Sequence, residues 1–167
     1  MKPRQPAERI ARRMAEIEPF HVMALLARAR ELEAQGRSII HMEIGEPDFP
    51  TPEPVLRAGI RALEKGDLFY TPTPGLPALR QAIAAYYGSR YGVEVPASRI
   101  IVTTGSSAAL MLACAVLVDP GDEVLLADPG YPANRHFVRV VEGRPRPIAV
   151  DAESAYQLAP GHLLGNL

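Results

Sequence analysis

Tryptophan is absent from the 167 residues, and cysteine occurs once, as Cys114. A lone cysteine excludes a disulfide framework and a cysteine-rich zinc site. Neither sign of charge dominates: eighteen Lys and Arg stand against nineteen Asp and Glu, a formal net charge of -1. A general nucleic-acid binder needs a basic face, so no nucleic acid is expected as a partner. A local cationic site is still compatible with that balance. No apolar run is long enough for a membrane helix, so no membrane partner is expected. The start, 1–13, is basic but leads into no apolar h-region, and does not read as a secretory signal. His21, His41, His136 and His162 show no metal-ligand spacing, so no metal is expected. These exclusions leave a soluble protein, expected in the cytoplasm.

Proline and glycine, by contrast, are abundant. Together they make 30 of the 167 residues, about 18%, against a usual total of roughly 12%. The prolines cluster between strongly patterned segments, which favours ordered turns over disorder. The length suits one domain, or one domain and part of another, and a chain of this size can bury a core without staples.

The patterning is that of an α/β chain. Residues 1–7 read as a loose arm, with Arg9, Arg12 and Arg13 as solvated charges. A helix is expected over 21–35, with Gly36 as its stop, and a short Ile-rich strand over 38–43. The loop 44–50 follows, where two prolines remove backbone donors. Thr51 is a suitable cap for a helix over 52–65 whose Val55, Leu56, Ile60 and Leu63 share one face. The breaker-rich loop 69–75 leads into a helix over 76–91. Then come a strand at 99–103, an apolar helix at 108–118, a strand at 123–127, a helix at 131–141 and a strand at 146–150. Alternation of this kind predicts parallel strands joined by right-handed crossovers, and continuous apolar strands fit a sheet covered on both faces. Three strands fall short of a usual sheet of about five, so the sheet is expected to be incomplete at the C-terminus and the chain to be the first part of something longer.

Chemistry is most plausible at the turn Thr104-Gly105-Ser106-Ser107-Ala108. A strand end, a glycine, two hydroxyls and a helix start make an anion-binding geometry, because the first helical N–H groups lack partners and the helix dipole favours negative charge there. A plain serine N-cap that binds nothing explains the same residues. Neither GxxxxGK[ST] nor GxGxxG is present. Tyr131, in Asp128-Pro129-Gly130-Tyr131-Pro132, follows the next strand and belongs on the same rim. It suits stacking on a flat ring, or simple packing over a proline turn. The loops around Gly45 and Tyr70 display polar groups on a scaffold, although turn chemistry also accounts for them. Glu46 and Asp48, parted by one proline, are not read as an acid/base pair. Cys114 lies mid-helix among apolar residues and reads as a buried small hydrophobe. Arg135 and Arg139, four apart on one helix, are expected to face solvent.

Five segments in order are more specific than any one of them: Ile44-Gly45-Glu46-Pro47-Asp48-Phe49, the run from Phe69 through Gly75 to Arg80, Ile101 to Leu110 around Gly105, Asp119-Pro120-Gly121-Asp122, and Asp128 to Pro132. The set resembles the N-terminal part of the class I/II aminotransferases, enzymes of fold type I that use pyridoxal 5′-phosphate. The resemblance spans roughly 20–157, and the last ten residues match no familiar pattern. It implies a mostly parallel sheet with flanking helices, a partial form of the family's fold. It also implies a division into a small-domain segment, 1–44, and the first part of the cofactor-binding large domain, 45–167. Ser106, Ser107 and Ala108 match the family's phosphate cup. Tyr131 matches the aromatic that stacks on the cofactor ring, and Tyr70 the tyrosine that reaches the phosphate across a homodimer. Gly45 matches the loop glycine near the substrate carboxylate. The implied reaction moves an amino group between an amino acid and a 2-oxo acid. The lysine that carries the cofactor in this family lies past residue 167, and neither Lys2 nor Lys65 matches it, so no catalytic residue is assigned. An inactive truncated chain, binding the cofactor weakly or acting only as partner of a full-length subunit, is the alternative expectation.

Overall fold

A computed structural model describes residues 10–165. In chain order it holds a 3-10 turn at Arg12–Glu16, then α1 (His21–Ala34), α2 (Glu53–Lys65) and α3 (Pro77–Tyr91). A 3-10 turn at Ala97–Arg99 follows, then α4 (Ser106–Leu117), β1 (Glu123–Asp128), α5 (Ala133–Val140), β2 (Arg144–Ala149) and α6 (Pro160–Leu164). The residues group into two compact units. One takes the chain up to Glu43 and again from Gly105; the other is Ile44–Thr104. The expected arm at 1–7 and Arg9 lie outside the described residues.

The first unit contains the α/β pattern. β1 and β2 pair in parallel, in register from Glu123 opposite Arg144 to Asp128 opposite Ala149. α5 forms the crossover and packs against both strands and α4. Val138 of α5, Ile148 of β2 and Val150 are the buried apolar residues among those described. Arg144 N–H donates to Asp122 O at 2.7 Å and Val150 N–H to Asp128 O at 3.0 Å. Even-numbered donors of β2 therefore face β1. Alternation then turns Pro145 and Pro147 toward the other edge, where no N–H is available. That edge of β2 cannot donate at these two positions, a common way of blunting a sheet edge.

Two expected strands do not form. Segment 99–103 is extended at Ile100 (φ -105°, ψ 126°), but beyond the preceding turn its Val102 N–H donates to Pro74 O, at 3.0 Å, in a loop rather than in a strand. Extension is local, whereas a ladder needs a neighbouring strand. Segment 38–43 instead uses side chains: Met42 N–H donates to Glu43 Oε2 at 2.9 Å, and Ile40 and Met42 point to solvent. The sheet thus has two strands among the described residues, not three.

In the second unit, α2 begins one residue later than expected. Pro52, not Thr51, stands at its cap, without a side-chain bond. Glu53 lies in the first turn, and Arg57 Nε donates to it at 2.7 Å. α2 and α3 end at Gly66 and Gly92. Arg80 of α3 ties the unit together, donating to Ile100 O at 2.8 Å and Ala97 O at 2.6 Å. Gly75 has φ +100°, and a Cβ there would lie 2.7 Å from Val102 Cβ. Both its conformation and the close approach of Val102 demand glycine.

Three smaller expectations change as well. Cys114 is half-buried, not buried. Arg13 keeps solvent contact but is also paired, its Nη1 donating to Glu142 Oε1 at 2.8 Å. Arg139 pairs with Glu16 at 3.0 Å.

Candidate functional site

α4 is the element on which the site rests, and its first residue is set by Gly105. Gly105 has φ +100° and ψ 170°, a region essentially restricted to glycine. No side chain caps this helix start. Ser106, Ser107 and Ala108 are its first three residues, so their N–H groups have no acceptor inside the helix. Ala109 N–H is the first to reach back, to Gly105 O at 3.3 Å. The serines therefore stand inside the first turn, and the plain serine N-cap does not describe them. Both side chains are exposed, and nothing lies within 4 Å of the Cβ position of Gly105. An open, uncapped helix start with two hydroxyls fits an anionic group such as a phosphate.

Tyr131 lies in the same unit. Short connections before and after β1 reverse the chain each time. α4 and α5 therefore begin at one edge, the carboxyl end of β1, where open α/β sheets bind ligands. Tyr131 sits in the turn just before α5, and its carbonyl accepts from Asn134 N–H at 3.2 Å. Gly130 keeps that turn closed, for a Cβ there would collide with the Ala127 carbonyl oxygen. The Tyr131 side chain is 56% exposed, and a cavity of about 240 Å³ opens beside it, lined in part by Asp128, Asn134, Arg135 and Pro147. A half-exposed phenol ring beside an open cavity suits a flat heteroaromatic ring. The Asp128–Pro129 peptide is cis.

Tyr70 and Gly45 belong to the other unit. The Tyr70 side chain is fully exposed, in a loop closed by the Gly75 N–H to Pro72 O bond at 2.8 Å. Gly45 is exposed, with nothing within 4 Å of its Cβ position. Glu46 and Asp48 are exposed too. Among the described residues no group of three His, Cys, Asp or Glu is placed to hold a metal, and no helix is long and apolar enough to cross a membrane.

Two contacts escaped sequence reasoning. The Phe20 ring meets Tyr131 at 5.9 Å between centroids and 62° between planes. His41 bridges two carboxylates, Glu43 at 2.6 Å through Nδ1 and Glu33 at 2.9 Å through Nε2. The bond from Glu43, then that from Glu33, raises the His41 pKa above its ordinary value, and His41 in turn lowers Glu43. An aromatic between a proline and a helix is a faint local signal for Phe20; its partner lies too far along the chain to be read from spacing.

Relatives bear directly on this arrangement. The sequence matches the family described as aminotransferase class I and II over residues 37–167. A (5-formylfuran-3-yl)methyl phosphate transaminase of Methanocaldococcus jannaschii is 40% identical over 136 residues, 81% of this chain and 37% of that protein. An aspartate aminotransferase of Thermotoga maritima is 42% identical over 120 residues, 72% of this chain and 32% of that protein. Among solved structures, an aminotransferase from Mycobacterium tuberculosis superposes with a TM-score of 0.89 at 34% identity, covering 93% of this chain and 40% of its own. The chain thus spans about two-fifths or less of the length of these relatives. Match length, identity and superposition agree with the helix-and-parallel-sheet architecture, and the chain belongs to the class I and II aminotransferases.

Proposed function

We propose that this chain contributes the phosphate cup and ring platform of an aminotransferase that moves an amino group between an amino acid and a 2-oxo acid. The observation that carries the reading is the Gly105 turn, which opens α4 without a cap and leaves the first-turn N–H groups of Ser106, Ser107 and Ala108 to an outside anion. These groups, with the Ser107 hydroxyl, would hold the phosphate of pyridoxal 5′-phosphate. Tyr131 would support its ring from one face. When bound, the cofactor supplies the electron sink of amino-group transfer. Gly45 leaves backbone and space for a substrate carboxylate. Tyr70, exposed on its loop, would reach the cofactor phosphate of a partner subunit in a homodimer. The proposed division places 1–44 in the small domain and 45–167 in the large one. The proposed setting is the cytoplasm, with amino acids and 2-oxo acids as small-molecule partners.

The lysine content favours a second reading for this chain on its own. Of its two lysines, Lys2 and Lys65, Lys65 is exposed and paired with Asp67 at 2.9 Å. Neither is a cofactor-bearing group, so residues 1–167 alone would not turn over, and would bind the cofactor weakly or act beside a full-length subunit.

Titration with pyridoxal 5′-phosphate, followed by absorbance, tests the first reading. Ser107→Ala removes one hydrogen bond to a charged group and is expected to weaken binding about tenfold, with little effect on the choice of amino acid in a complete enzyme. Unchanged affinity would refute the assignment of the Ser107 hydroxyl to the phosphate. No binding by the unaltered chain at millimolar cofactor would favour the second reading.

A further inference from the structure

The residues before α1 run along α5 in the opposite direction. Arg13 meets Glu142 at 2.8 Å, Glu16 meets Arg139 at 3.0 Å, and Phe20 meets Tyr131 at 5.9 Å between ring centroids. As the number rises on one side it falls on the other. The segment is therefore a strap, with ion pairs at the end of α5 and an aromatic contact at its beginning. The strap is also fixed by its own backbone: Phe20 directly precedes α1 with φ -75° and ψ 97°, and its carbonyl accepts from Met23 N–H at 3.1 Å. Pro19 narrows the conformations open to Glu18 before it. Phe20 thus stands where this segment, at the start of α1, passes Tyr131.

We propose that Phe20 is a positioning residue for Tyr131, its ring setting the plane that Tyr131 offers to the cofactor. The inference rests on the cofactor reading above. A half-exposed tyrosine at a turn has two free side-chain torsions. Near-edge-on contact at 62° fits the quadrupole preference of aromatic pairs. Such a contact restricts both torsions without stacking one ring flat on the other, and a preset platform binds more tightly than one ordered on binding. Arg13, Glu16, Arg139 and Glu142 act one step further back. They are exposed pairs of small individual effect, and they hold the strap rather than the ring.

The test uses Phe20→Leu, which keeps an apolar side chain and loses the ring, and Phe20→Tyr, which restores the ring. Phe20→Met is a second ring-less variant should leucine prevent folding, judged by far-ultraviolet circular dichroism. One arm needs no cofactor. The chain has no tryptophan, so Tyr131→Trp makes a single tryptophan at the platform, excited selectively over the remaining tyrosines, and Phe20→Leu in that background is expected to shift its emission to the red and raise its quenching by acrylamide. The other arm titrates pyridoxal 5′-phosphate and reads the circular dichroism induced in its visible band. Phe20→Leu is expected to weaken binding about two- to tenfold and diminish the induced signal, while Phe20→Tyr restores both. An unmoved fluorophore overturns the contact itself. A moved fluorophore with unchanged affinity and induced signal overturns the positioning role, provided Tyr131→Ala does weaken binding. Tighter binding in Phe20→Leu means that Phe20 obstructs the platform and overturns the proposal as well. If Tyr131→Ala has no effect, the cofactor reading fails first and the positioning role falls with it, whatever the fluorophore does.

Discussion

Residues 105–150 and residues 44–104 use equally strong local signals and reach different ends. In the first stretch, α4, β1, α5 and β2 close around Val138, Ile148 and Val150, which are 1%, 3% and 6% exposed. The second has helices just as well marked, yet no residue in it is buried. The apolar face of α2, Val55, Leu56, Ile60 and Leu63, is 44 to 66% exposed. Propensity, a glycine stop and an i,i+4 pair mark a helix, but most helical stability in proteins comes from packing of an apolar face. The lesson is that amphipathic spacing announces a helix without saying what covers it.

Opposite outcomes for one kind of substitution would sharpen this contrast most. At Gly143, a Cβ would meet Cγ1 of the half-buried Val118 at 2.7 Å and Cγ1 of the buried Val138 at 2.8 Å. Gly143→Ala is expected to cost about 1–3 kcal/mol through overpacking. Gly59, inside α2, has nothing within 4 Å of its Cβ position, and Gly59→Ala should stabilise by about 0.5–1 kcal/mol through helix propensity. Urea midpoints of the two variants decide the matter, and equal signs would break the comparison.

Truncation gives a second, slightly smaller contrast. Val138→Ala should cost about 2 kcal/mol, from lost burial and the cavity left behind. Leu63→Ala, at a side chain 66% exposed, should stay within about 0.5 kcal/mol. A larger loss at Leu63 in the same urea series would mean that α2 is covered in solution.

The smallest expected effect concerns the approach to the boundary between the two regions, where His41 joins Glu33 of α1 to Glu43. The folded chain holds the His41 proton more tightly than the unfolded chain, chiefly through Glu43 and then Glu33. That contribution is fully present below the ordinary value of 6.5 and is lost as pH rises through the raised folded value. Glu43 is shifted the other way by His41, so its contribution is present above the ordinary 4.5 and lost on acidification. The clamp is therefore firmest between these two values. Amide exchange over 38–43, compared between the unaltered chain and His41→Gln at each pH, should differ most in that window. A difference independent of pH would remove the clamp.

Much of the architecture was legible in the residues. The expected helices at 52–65 and 76–91 end where α2 and α3 end, and the expected strands at 123–127 and 146–150 are the two that pair. The segments around 40 and 100 form no ladder because Ile content and short apolar runs report extended backbone, not the presence of a neighbour. The Gly105 turn was visible as a pattern, but serine capping and anion binding share one sequence signature. Only the φ and ψ of Gly105 showed that the glycine, not a serine, stands at the cap.

The order of local elements, the places where the chain must turn, and the family resemblance follow from near-neighbour chemistry, because capping, glycine conformation and proline geometry act within a few residues. The pairing of β1 with β2, the outward register of Pro145 and Pro147, the burial of Val138, and the meetings of Phe20 with Tyr131 and of Arg13 with Glu142 join residues far apart in the chain. No local preference encodes such contacts, since each exists only once burial and hydrogen bonding have offset the entropy of bringing distant segments together.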